Sequence, residues 1–210
     1  TNAETNATGT LAAGLGPWVS AAGNTHRLTI TALGDKQVLN HAYSGPRATD
    51  APFNHKFITR HYGFGSCTPT GATTGPCTVT ITNPNGNPVS LGNISWSDTT
   101  ISGFVPNGVC PGPQQAAGCA GQLVITTANG KQSIDTVTVS VGGKAPTYVT
   151  PSSPSNNLFG RIEPSPLQTA IDNAAPGDLI LVGPGIYREN LLMWKPVRLQ
   201  GVGADSVTIN

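Results

Sequence analysis

Short runs of β-branched residues, each cut by a turn rich in glycine, proline or asparagine, constrain this chain more than any other feature. Thr78-Val79-Thr80-Ile81-Thr82 puts Val79 and Ile81 on one face of an extended strand. It runs into Asn83-Pro84-Asn85-Gly86, a strong turn sequence because Asn-Gly tolerates positive φ at low cost. Further runs surround Trp96 and Ile101, occupy Gln122–Thr127, and resume after Asn129-Gly130 in Thr136–Val141, which alternates with period two. Short strands at this spacing indicate a β-sandwich. Helical bundles are excluded by the same residues: Gly and Pro supply 26 and 18 of the 210 positions, and both are poor in helix interiors.

Charge narrows the partners. Charged residues make up 10% of the chain, against the usual ~25%, and the net charge is +1. No window clusters Lys and Arg as phosphate neutralisation requires, so nucleic-acid binding is excluded as an expectation. The longest aliphatic run, Leu179-Ile180-Leu181-Val182, is far short of the ~20 residues of a spanning helix, so no membrane insertion is expected. The chain opens on Thr1 rather than Met, and residues 10–23 lack the basic start of a signal peptide. The expectation is a piece of a longer protein whose export signal lies upstream.

Cys67, Cys77, Cys110 and Cys119 form no CxxC, which argues against zinc. Their clustering in two close pairs suggests local disulfides, although three pairings remain formally open. Disulfides point to an extracellular, cell-surface or periplasmic setting. His26, His41, His55 and His61 offer no tight metal spacing, and His55 and His61 would lie about 20 Å apart along one strand. The only methionine is Met193, so no copper set is present, and no metal or cofactor is expected.

Four segments follow. Residues 1–53 read as an N-terminal arm and the tail of an upstream β domain; 54–142 as a sandwich; 143–158 as an extended linker, mobile or lying along a surface. Residues 159–210 begin with a short amphipathic helix. Ser165 is its expected cap, Pro166 its first residue, Gln168 the partner in a capping box, and Leu167, Ala170, Ile171 and Ala174 its apolar face. Pro176-Gly177 ends it before the apolar strand Leu179–Val182.

Tyr62-Gly63-Phe64-Gly65, Ile94–Ile101 with Val105-Pro106, and Leu123–Thr127 followed by Asn129-Gly130 and Ser133 resemble an IPT/TIG immunoglobulin-like domain in both order and spacing. The two cysteine-bearing insertions depart from that pattern. The resemblance implies a spacer or binding module without catalytic residues, with Trp96 packing in the core or at an edge. From Leu167 to Val182, then Pro184-Gly185-Ile186-Tyr187-Arg188-Glu189-Asn190 and Lys195–Gly203, the chain resembles the opening of a right-handed parallel β-helix of the pectin-lyase-like class. That resemblance implies a capping helix that plugs the end of the solenoid. The expected fold is therefore all-β: an immunoglobulin-like sandwich plus the start of a right-handed parallel β-helix with its short capping helix.

No catalytic residue is assigned. Structural roles are expected for Glu163, Asp172, Asp178, Glu189 and Asp205, with Asp178 bonding backbone in its turn. Arg188 and Glu189 are expected to form an exposed ion pair. Trp194 and Trp18 are the candidate ligand-stacking residues; if Met193 points inward, the pleat turns Trp194 outward. Two coils leave a stack that needs covering by other domains or subunits. The expected function is that of a non-catalytic secreted or cell-surface structural fragment of a larger multidomain β protein, in matrix, adhesion or filament assembly, with polysaccharide as a candidate partner. The alternative is the non-catalytic portion of a carbohydrate-active β-helix enzyme, a polysaccharide lyase or hydrolase, whose active site lies beyond residue 210.

Overall fold

The computed structural model describes residues 17–67, 77–112, 117–133, 137–152, 165–201 and 207–210, and the backbone of 155–157 and 160–162. Along the first part run β1 (Trp18–Val19), β2 (Arg27–Thr31), β3 (Gly34–Leu39), β4 (Phe57–Tyr62) and β5 (Thr78–Thr82). They are followed by β6 (Pro88–Ser90), β7 (Gly92–Trp96), β8 (Thr100–Phe104), β9 (Cys119–Thr126) and β10 (Val137–Val141). The second part holds β11 (Thr147–Val149), β12 (Ser155–Asn157), β13 (Gly160–Ile162), helix α1 (Pro166–Asn173), β14 (Leu179–Val182), β15 (Gly185–Tyr187), β16 (Arg198–Gly201) and β17 (Val207–Ile209). The class is all-β with one short α-helix among the described residues.

Two sheets enclose the first core. One has the order β1-β10-β9-β5-β6 and the other β2-β8-β7. The period-two pattern is realised directly: Val79 and Ile81 of β5 are buried, while Thr78, Thr80 and Thr82 are half-buried. They meet Leu123, Val139 and Val141 from their own sheet and Leu28, Ile30 and Ile101 from the other. Val19, which the sequence assigns to an N-terminal arm, and Leu28 and Ile30, which it assigns to the tail of an upstream β domain, lie in this same core. Their apolar faces have nowhere else to be buried, so the core begins at β1. Turn chemistry works as expected after β5, where Asn83 Oδ1 accepts from the backbone N–H of Asn85 and Asn87 at 3.0 and 2.9 Å. At Gly121 of β9 a Cβ would sit 1.9 Å from the carbonyl oxygen of Thr82, so only glycine allows the two strands to approach.

The second core rests on parallel pairing. β14 lies between β11 and β16, both parallel to it, and β15 pairs parallel with β17. Successive rungs stack in register, Leu179 beneath Arg198 on one face and Gly185 beneath Val207 on the other. Helix α1 buries Leu167, Ala170 and Ile171, with Ala174 beyond its end, against Val149, Ile180, Val182 and Tyr187, which is the face its sequence period specifies. Tyr187 is buried, and its hydroxyl donates to the carbonyls of Val149 and Gly183, both at 2.9 Å.

Residues 143–158 are not simply an extended linker. Thr147–Val149 forms the first rung of the parallel sheet with Val149 buried, and β12 pairs antiparallel with β13. A β-branched edge strand with an apolar residue facing the helix gains more by joining the sheet than by staying solvated. The capping box is also replaced. Ser165 makes no side-chain bond to the helix, and the carboxylate of Glu189, far downstream, accepts from the N–H of Leu167 (3.1 Å) and Gln168 (3.0 Å). A full carboxylate satisfies two orphan donors at once and complements the positive end of the helix dipole.

The two units touch directly. Arg198 donates to Ser140 Oγ at 3.0 Å and Gln200 Nε2 donates to the Thr138 carbonyl at 2.9 Å, so the outer face of the parallel sheet rests on β10. Leu181, opposite Gln200 in the register, is fully buried and belongs to neither core cluster.

Candidate functional site

Trp194 lies in the irregular segment between β15 and β16, 60% exposed. Leu192 and Met193 beside it are 68% and 48% exposed. Met193 therefore does not point inward: the segment is no strand, and the pleat that would set the two side chains on opposite faces is absent. What orients the indole is the helix beneath it. Trp194 Nε1 donates to Asp172 Oδ1 at 2.8 Å, and Gln168 Nε2 donates to the same oxygen at 2.8 Å. Both bonds, the indole's first, hold the Asp172 carboxyl below the usual carboxylate range. The Lys195 ammonium lies 4.1 Å from the ring centroid and donates to the carbonyls of Asp172 and Ala174 at the end of α1. Among the described residues this is the most prearranged aromatic platform, with its edge and one cation fixed and most of the ring in solvent.

Trp18 is placed differently. It is half-buried in β1, and its Nε1 donates to the Gly142 carbonyl at 3.1 Å, which makes it a packing residue at the sheet edge. The cysteines form two disulfides, Cys67–Cys77 and Cys110–Cys119. Asp178 accepts from the Ala175 N–H at 2.9 Å, as its turn position suggested, and also pairs with Lys144, the contact that most lowers its pKa. Glu189 is buried as the helix cap and does not form an exposed pair with Arg188. Glu163 and Asp205 lie outside the described residues. Between β11 and α1 runs a groove of about 540 Å³, lined by Thr147, Thr150, Thr169 and Asn173 together with the Lys144–Asp178 pair.

One polar cluster has no precursor in the sequence reading. His61 on β4 lies between Asp35 on β3 and Asp98 in the β7–β8 turn, with Nδ1 2.6 Å from Asp35 Oδ1 and Nε2 2.8 Å from Asp98 Oδ2. Only the imidazolium donates to both carboxylates, and these bonds, Asp35's first, raise the pKa of His61 above its ordinary value. Asp98 Oδ1 also accepts from the Gly65 N–H at 2.9 Å. A Cβ at Gly63 would lie 2.1 Å from that oxygen, so the turn closes on glycine. In its protonated form His61 donates through both ring nitrogens and has no lone pair for proton abstraction or for a metal; the cluster clasps the β3–β4 ribbon to the β7–β8 turn. Among the described residues no group of three or more His, Cys, Asp or Glu side chains is arranged to hold a metal ion.

No protein-family model, curated protein or solved structure matches the chain. The chemistry of its own residues therefore carries the functional argument.

Proposed function

We propose that this chain is a non-catalytic structural segment of an extracellular or cell-surface protein: an IPT/TIG-like immunoglobulin sandwich joined to the opening coils of a pectin-lyase-like right-handed parallel β-helix, serving adhesion, matrix or filament assembly. The contact of the parallel sheet with β10 through Arg198 and Gln200 carries this reading, because it makes one stiff unit of what would otherwise be two tethered beads. Strand order supports the sandwich part: β2-β8-β7 and β10-β9-β5-β6 follow the B-E-D and G-F-C-C′ orders of immunoglobulin domains. Parallel rungs in register, Leu179 with Arg198 and Gly185 with Val207, support the solenoid part. Two disulfides favour an oxidising compartment, and among the described residues no helix is long and apolar enough to cross a membrane. β16 and β17 stand at sheet edges, where backbone groups would pair with another domain or subunit.

Chemistry argues in the same direction. Each described carboxylate of the second unit is committed: Glu189 to the helix, Asp172 to Trp194 and Gln168, Asp178 to Ala175 and Lys144. A glycosidase needs two carboxyls facing a substrate. The exposed Trp194 platform favours one alternative, in which these coils are the non-catalytic portion of a carbohydrate-active enzyme. Reducing-end assays on purified chain with polygalacturonate, xylan and arabinan, together with small-angle scattering, test the proposal. The expected result is no cleavage and a single rigid elongated particle; cleavage by this chain, or a profile of two loosely tethered bodies, overturns the proposal.

A further inference from the structure

The ribbon of β3 and β4 is exposed along most of both strands, and its register sorts the side chains into two rows. One row pairs Asp35 with His61, Gln37 with Thr59 and Leu39 with Phe57. In that row charge is compensated, since His61 spans Asp35 and Asp98. The other row pairs Gly34 with Tyr62, Lys36 with Arg60 and Val38 with Ile58. Here two cations stand directly opposite each other, both exposed, and neither side chain forms an ion pair or hydrogen bond with any described residue.

Like charges directly opposite across an antiparallel pair are destabilising. Neither cation is buried by the pairing and no acid stands in their row, whose half-buried members are Gly34, Val38 and Ile58. A local rule broken at an exposed position without structural return marks a place where the chain is organised for something else. Tyr62 follows Arg60 by one pleat repeat, about 7 Å along the strand, and is 40% exposed. Gly34 opposite it carries no side chain to cover the ring, and its φ of +66° is one that only glycine adopts freely.

We propose that Lys36, Arg60 and Tyr62 form a binding strip for an acidic polysaccharide, a chain of uronate-type sugars. A carboxylate seated between the Arg60 guanidinium, which can grip it in bidentate fashion, and the Lys36 ammonium converts their repulsion into two charge-assisted bonds. The next sugar ring along the chain lays its C–H face on Tyr62. Duplex nucleic acid is poorly served, because its affinity comes from neutralising many phosphates and two cations offer little. An acidic peptide would use the cations but has no ring to set on Tyr62. This strip is on a surface that the structural reading does not use, so the two stand or fall separately.

Affinity electrophoresis of the full chain in gels containing polygalacturonate, neutral dextran or poly-glutamate tests it. Retardation by polygalacturonate alone is expected, with binding about tenfold weaker in K36Q/R60Q and several-fold weaker in Y62A. K131Q, in the turn that follows β9, should bind as the parent does, and matched circular dichroism of all variants checks folding. No retardation by polygalacturonate, equal retardation of K36Q/R60Q and parent, or equal or stronger retardation by poly-glutamate overturns the assignment.

Discussion

In the first unit the core closes through long-range pairings, such as Trp18 with Ser140 and Ile30 with Ile101; in the second the pairings are parallel and closer in sequence, Leu179 with Arg198 and Gly185 with Val207. The first unit fills its core from two sheets, so the apolar faces of its strands cover one another. The second unit has only the small parallel sheets β11-β14-β16 and β15-β17, and α1 closes its core with Leu167, Ala170 and Ile171. That lid is itself pinned by Glu189, which lies just beyond β15. Helix and parallel sheets are thus mutually dependent, whereas the first unit spreads its burial over two sheets of five and three strands.

The largest effect should come from the lid. Ile171→Ala removes a fully buried side chain at the centre of the helix face and should cost about 3 kcal/mol. Amide exchange should accelerate in β11 and β14 while β5 and β9 remain protected. Equal acceleration in both units would mean they unfold as one body and would erase the contrast between them.

Next comes the cap. Glu189→Gln keeps the shape but removes the charge that faces two N–H donors and the helix dipole, a loss of about 1–2 kcal/mol. The amides of Leu167 and Gln168 should show it first in exchange experiments. Unchanged exchange at both would assign the capping to something other than Glu189.

The smallest effect belongs to the sandwich side and depends on pH. Folding raises the pKa of His61, chiefly through its bond to Asp35 and then Asp98. The stabilisation is therefore fully present below the unfolded value near 6.5 and fades as pH climbs through the higher folded value. An NMR titration should place the His61 midpoint above 6.5, and Asp98→Asn should pull it down while α1 resonances stay still. A midpoint at the ordinary value would dissolve the clasp.

Much of this fold is legible in the residues where apolar periodicity is strong. The alternation in Thr78–Thr82 and the Leu167/Ala170/Ile171 stripe each specify the face that the structure buries, whereas in Val137–Val141 Ser140 on the polar face is buried too, beneath Arg198. The β3–β4 ribbon escapes such a reading because charged and polar residues stand on both its faces, leaving no alternating signal. Glu189 escapes it because a cap arriving from a distant segment has no local signature, unlike the Ser165 pattern that it displaces. The Asp35–His61–Asp98 cluster draws on three separate elements, so only the tertiary fold assembles it. The outward setting of Trp194 is legible, but its cause lies in Asp172 and Lys195 rather than in a pleat.

β1 runs parallel to β10, bonded through Ser140 N–H to the Pro17 carbonyl and Gly142 N–H to the Val19 carbonyl, both at 2.8 Å. Tension that drags the chain backwards from Trp18 and forwards from Val141 slides these neighbours lengthwise, so their bonds share the load instead of parting one at a time. Because Arg198 and Gln200 grip β10 from the other side, the same short splice would pass a pulling force from one unit into the next.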